Sequence, residues 1–151
     1  MASGVRHSPV TADKFEAYYW GIYAFVFEND DILALDDPDF SLSDVDTASM
    51  AQAFHAVLPF RDCSRLYVEI LLAGDGEVIE ERYAYIYYDA EGKRILQYDN
   101  RRHHPQISTY PHHMHKGPIP VAGEQDRAWS TDIEFVSFET VLQWIRERFF
   151  L

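Results

Sequence analysis

Cysteine is nearly absent from this 151-residue chain, where Cys63 stands alone. A single thiol cannot close an internal disulfide, which excludes a disulfide-stapled scaffold and fits a reducing compartment. Cys63 also lacks the local signature of a catalytic nucleophile. Long apolar runs are missing as well. No stretch approaches the roughly 18 residues that span a bilayer, and the opening MASGVRHSPVTADKFEAYYW has no apolar signal core followed by small residues. A soluble, cytoplasmic protein without membrane association is expected. Basic residues are sparse: the formal net charge is −12, and ENDDILALDDPDFSLSDVD, from Glu28 to Asp46, contains none. Phosphate affinity depends on clustered Lys and Arg, so broad nucleic-acid binding by the whole surface is excluded.

What is present is enough for a core. Hydrophobic residues make up 47% of the chain and aromatics 15%, which suits one domain over residues 1–151 and leaves little for a second. The charge is also unevenly spread. Between Lys93 and Lys116 the bases Lys93, Arg94, Arg101, Arg102 and Lys116 face the single acid Asp99, so this window is +4 and the remainder −16 with histidines neutral. Five of the seven histidines, His103, His104, His112, His113 and His115, fall inside the same window.

Phe15, Tyr18, Tyr19, Ile22, Phe25 and Val26 recur at helical spacing and predict a helix over 10–26, capped by Ser8 with Pro9 following or by Thr11. Its aromatic content would also suit a strand in the second half. The acidic stretch 28–46 reads as a solvated loop; the alternatives are a docking surface for a basic partner or a screen for the basic island. It lacks the acid spacing and mid-loop glycine of a calcium-binding loop. Met50, Phe54 and Val57 suggest a middle helix over 47–58, closed by Pro59, with His55 in a structural role. Three strand-like runs follow at 66–73, 78–88 and 94–98. The turn residues Gly74-Asp75-Gly76 and Asp89-Ala90-Glu91-Gly92 between them indicate an antiparallel meander. In the middle run Tyr83, Tyr85 and Tyr87 share one face, suited to sheet packing and less so to base stacking. A short strand is expected over 133–136 and a final helix from the Ser137 cap to Phe150. The fold class is α+β: a single antiparallel meander with N-terminal, middle and C-terminal helices packed on it.

The segment from Tyr98 to Lys116, YDNRRHHPQISTYPHHMHK, is the candidate site. Prolines 105 and 111 bracket a loop or extended chain along the sheet edge. Five imidazoles are hard to bury together, so most are expected near the surface or in a polar pocket. Three chemistries fit. Two histidines can serve as acid and base on RNA, whose 2′-hydroxyl is an internal nucleophile. Arg101, Arg102 and Lys116 would then steady the developing phosphorane charge, Asp99 would orient an imidazole, and Tyr98, Asn100 and Tyr110 would contact substrate. This chemistry needs no cofactor. Alternatively, His113 and His115 join His103 or His104 and Asp99 around Zn²⁺ or another transition metal, although the spacing matches no named zinc signature. A rigid polar edge with a purely structural role is the third reading. Any single histidine is most simply structural; it is the shared location of bases and imidazoles that favours function.

From Arg82 to Gly117, RYAYIYYDAEGKRILQYDNRRHHPQISTYPHHMHKG resembles the TumE-like toxin family of prokaryotic toxin–antitoxin modules. The resemblance rests on three elements in order: the tyrosine-rich strand Tyr83–Tyr88 with the turn Asp89–Gly92, then Tyr98-Asp99-Asn100, then His103-His104-Pro105 leading through Thr109-Tyr110 to Pro111–His115. Arg102 and Met114 depart from the pattern, and residues 1–65 carry no such likeness. The resemblance implies a small toxin neutralised by a co-encoded helix-turn-helix antitoxin. An exposed strand edge would also allow a homodimer.

Overall fold

The computed structural model describes residues 12–42, 53–73, 79–131 and 136–151. Two helices and seven strands follow in the order α1 (Ala12–Glu28), β1 (Ser41–Leu42), β2 (Ala53–Pro59), β3 (Arg65–Ala73), β4 (Ile79–Tyr88), β5 (Arg94–Asp99), β6 (His113–Lys116), β7 (Trp129–Ser130) and α2 (Phe138–Phe149). The strands form one antiparallel sheet in which sequence order is also spatial order. Among the described residues no helix is long and apolar enough to cross a membrane.

Strand periodicity divides the sheet into two unlike faces. Phe54, Ala56 and Leu58 of β2, Leu66, Val68, Ile70 and Leu72 of β3, and Tyr83, Tyr85 and Tyr87 of β4 are buried in one cluster. Ile22 and Val26 of α1 and Phe138, Val141, Leu142 and Ile145 of α2 belong to the same cluster, so both helices contribute to this face. The tyrosine row is therefore core. The Tyr87 hydroxyl donates to Ser64 Oγ at 2.7 Å, and burial pushes its pKa up to about 12.

The opposite face carries His55, Val57, Tyr67, Glu69, Ala84, Ile86, Gln97 and Asp99. Register aligns these into rows: His55, Glu69, Ala84, Asp99, His113 and Ser130 are successive cross-strand partners. The next row runs Val57, Tyr67, Ile86, Gln97, His115.

The predicted middle helix over 47–58 is overturned, because Ala53–Pro59 is strand β2, fully paired with β3. The residues chosen for one helical face separate accordingly: Phe54 is buried and Val57 lies on the other side of the sheet. The alternation Phe54, Ala56, Leu58 is the period that won, because each side chain meets an apolar partner row on β3. Residues 47–52 of that expected helix, the proposed caps Ser8 and Thr11, and most of the strand expected over 133–136 lie outside the described residues. The N-terminal helix stays helical through its aromatic second half.

The acidic connection is partly woven into the fold. Ile32 and Leu33 are core residues, and Leu33 bridges to Phe60. Asp31 pairs with Arg146 of α2 at 2.6 Å, while Asp39 holds Arg65 at 2.6 Å. Arg146 also donates to the Asn29 side-chain oxygen at 2.7 Å, tying the end of α1 to α2. Asp31 and Asp39 remain mostly exposed while pairing with these arginines, so the described part of the stretch is solvated on its acidic side and anchored through Ile32 and Leu33.

Local rules account for the remaining boundaries. Asp89 Oδ1 accepts the backbone N–H groups of Glu91 and Lys93, and Gly92 at φ 83 takes the left-handed position that closes the β4–β5 turn. Ser137 caps α2, its Oγ accepting from Thr140 N at 3.2 Å. Replacing Ser137 by Ala is expected to cost about 1 kcal/mol of unfolding free energy, read from the urea midpoint at unchanged m-value. An unchanged midpoint would mean that the cap adds nothing to the packed helix.

Candidate functional site

Strand β5 ends at Asp99, and the chain leaves through a run of turns from residue 101 to 112 before returning as β6. This return was not legible in the sequence, which placed the whole segment along an edge. Because β6 pairs with β5, Asp99 is set opposite His113 and Gln97 opposite His115. Alternation then decides which members of the segment meet. Asp99, Gln97, His113 and His115 lie on the face away from the helices, whereas Tyr98, Met114 and Lys116 lie on the helix side.

Burial is deep for Asp99 and the strand histidines of the segment, while His103 is exposed and His104 and His112 are partly buried. Asp99 and His113 each retain 1% of their exposure and His115 4%. His113 Nε2 stands 2.9 Å from Asp99 Oδ1, and His115 Nε2 is 3.8 Å from Asp99 Oδ2. Each ring is oriented from behind. His113 Nδ1 donates to the Pro111 carbonyl and His115 Nδ1 to the Arg127 carbonyl, both at 2.9 Å. The carboxylate is oriented too, accepting Arg101 N at 3.0 Å and Gln97 Nε2 at 2.8 Å.

The contact between His113 and Asp99 is close, yet His113 Nε2 has no directed hydrogen bond. It is a contact of charge. Burial alone would raise the Asp99 pKa, but His113, Gln97 and the Arg101 amide outweigh it and hold the carboxyl at about 2. Burial alone would depress His113, yet Asp99 and the Pro111 carbonyl turn its net direction upward. His115 moves down, because burial outweighs the Arg127 carbonyl and Asp126. Burial and then the neighbouring imidazoles also lower His104.

Two further histidines complete the cluster from the loop. The His104 ring, half-buried, lies 4.7 Å from His113 and 5.5 Å from His115. His103, exposed, lies 4.7 Å from His104 and 5.6 Å from His113. Four imidazoles and one carboxylate thus converge, and two subsets have ligand atoms within 4.8 Å of one another: Asp99, His113 and His115, and His103, His104 and His113.

Other candidates do not join them. His112 stacks on Tyr83 at 5.8 Å and its Nδ1 meets the Tyr83 hydroxyl at 2.8 Å, on the helix side. Lys116 lies over the Trp129 ring at 5.1 Å, also away from the cluster. Tyr98 packs against the core, and Asn100 is buried with its Oδ1 accepting from Tyr83 N at 3.0 Å. Tyr110 is exposed, in a cis bond to Pro111. Of the island's bases, Lys93 pairs with Glu91, and Arg94 is buried against Asp126 at 2.7 Å. Arg101 and Arg102 are exposed, and the Arg101 backbone N–H donates to Asp99.

Three contributors were missed. Gln97 could have been found by strand alternation from Asp99. Asp126, whose Oδ2 is 3.3 Å from His115 Nδ1, carried no signal in its irregular stretch. Arg82 shares the open face with Ala84. Arg82 and Arg101 line a depression of about 180 Å³ that also includes Glu69 and Ala84. A second depression of about 310 Å³, which shares Glu69 and Ala84, continues over Ile86 and the tyrosines Tyr67 and Tyr88. The tyrosines on this open face are these two, whereas the Tyr83 row is core.

An antiparallel sheet covered by helices on one face, with a histidine–carboxylate centre at one end of the other, defines a small α+β protein with a polar site. The chain belongs to the TumE toxin family: the family model described as Toxin TumE matches residues 30–149. It is accordingly a toxin-like component of a toxin–antitoxin module. The likeness seen over residues 82–117 therefore extends through the acidic connection from residue 30 and through α2, where the sequence alone showed none before residue 66. No curated protein and no solved structure matches the chain.

Proposed function

We propose that this toxin cleaves RNA at the histidine cluster. The observation that carries the reading is the clustering of His103, His104, His113 and His115 with the buried Asp99 carboxylate, the cross-strand partner of Ala84 in the depression lined by Arg82 and Arg101. His103 and His104 lie on the solvent side of the cluster and are the imidazoles a substrate would reach. One takes the proton from a ribose 2′-hydroxyl as that oxygen attacks phosphorus. The other gives a proton to the departing 5′-oxygen, and the products are a 2′,3′-cyclic phosphate and a 5′-hydroxyl end. Proton transfer of this kind needs no cofactor. Arg101 and Arg102, with Arg82, supply the positive charge that meets phosphate, and Tyr67 and Tyr88 offer ring faces for unpaired bases across the open sheet. Local charge thus overrides the acidic average of the chain.

The module context supplies the partner. A co-encoded helix-turn-helix antitoxin would neutralise the toxin in the cytoplasm, and the depression is the surface it would have to close. The test is controlled expression in a bacterial host beside the His103→Ala/His104→Ala variant, following growth and total RNA. Arrest with RNA breakdown in the wild type alone is expected. Unimpaired growth with the wild type soluble and folded would overturn the reading.

A further inference from the structure

We propose that Asp99, His113 and His115 bind one divalent transition-metal ion of the zinc class beneath His104. This inference rests on reading the cluster as the functional site, and metal uptake is measured without RNA, so either can fail alone.

The donor set is of the right kind. Imidazole nitrogen and carboxylate oxygen are the ordinary ligands of Zn²⁺, and a centre with three protein ligands leaves a fourth position open. The second observation is the orientation of the rings. Both histidines spend Nδ1 on a backbone carbonyl, Pro111 O and Arg127 O, each at 2.9 Å. That bond fixes the tautomer of a ligating histidine and aims the lone pair of Nε2 at the metal. The third is the buried His113 Nε2, which has no directed hydrogen bond although its residue is only 1% exposed. Nine in ten buried polar atoms are satisfied, and an ion would satisfy this one.

The spacing also fits. Ligand atoms around a tetrahedral ion with bonds of about 2.1 Å stand roughly 3.4 Å apart. One ligand atom from each of Asp99, His113 and His115 lies within 4.8 Å of the other two, so small side-chain shifts would bring the three to that edge. The alternative set of His103, His104 and His113 includes an exposed residue and lacks a carboxylate. On the open side, His104 lies within reach of whatever occupies the fourth position. Gln97 and the Arg101 amide, which hold the carboxylate, act as positioning groups.

The test uses the untagged full chain, stripped with a chelator and titrated with Zn²⁺ in a calorimeter, then with Co²⁺ in an absorption spectrometer. One equivalent is expected to bind. Affinity should fall at least about tenfold in Asp99→Asn and in His115→Gln, and should hold in His112→Gln, whose ring faces the other side of the sheet. Should the site variants fail to fold, imidazole nitrogen spectra of the wild type decide: Zn²⁺ should shift Nε2 of both His113 and His115. No binding, affinity unmoved by the site variants, or shifts confined to His103 and His104 would each overturn the proposal.

Discussion

Truncating Asp99 to Ala should lower the unfolding free energy of the metal-free protein by about 3–5 kcal/mol, among the largest effects of any single change. The carboxylate is almost fully buried, accepts from two donors, the Gln97 amide and the Arg101 backbone N–H, and faces the His113 ring as its counter-charge. Each donor left without its acceptor in the interior costs roughly 1–3 kcal/mol. His113 can lose its proton when its counter-charge goes, which caps the penalty below that of a stranded cation. Asp99→Asn keeps the volume and one acceptor oxygen, so its loss should be the smaller. Urea unfolding of the two variants beside the wild type measures this. A loss under about 1 kcal/mol for Asp99→Ala would mean that water reaches the site and replaces the carboxylate.

The second large effect is on rate. Purified His103→Ala/His104→Ala protein should cleave a single-stranded RNA roughly 10²–10⁴-fold more slowly than the wild type, the usual contribution of positioned proton-transfer groups. Its stability should change little, because His103 is exposed and His104 only half-buried. That separation distinguishes this variant from changes at Asp99, where folding and chemistry fall together. The ends of the products give a further check: cyclic phosphate and 5′-hydroxyl ends follow from attack by the ribose oxygen. Substrate carrying 2′-deoxyribose at the cleavage position should not react. Equal rates for wild type and double variant would remove His103 and His104 from the chemistry.

The lesson of the elements is one of period and distance. Strands β3, β4 and β5 and helix α2 could be read locally, because turn residues and a capping serine mark them and each pattern closes within its own segment. The middle helix failed because Phe54 and Val57 satisfy a helical spacing over a short window, while the partner that selects a strand, β3, follows later in the chain. A short apolar run does not choose between the two periods by itself. The acidic stretch shows a related limit: its exposed charges could be read locally, but the arginines that Asp31 and Asp39 meet, Arg146 and Arg65, come from other elements.

The candidate site shows the same division. By itself the sequence determined that imidazoles and bases are concentrated between Tyr98 and Lys116, and that this segment carries the family likeness. Those are properties of neighbouring residues, and adjacency along the chain preserves them. Only the tertiary structure decided which of them act together. Pairing of β6 with β5 puts Asp99, His113 and His115 on one face and sends His112, Lys116 and Tyr98 to the other, because side chains alternate with a period of two once register is set. It also brought in Arg82, Gln97 and Asp126, whose places near the cluster depend on strand partners and loop returns that no local pattern encodes.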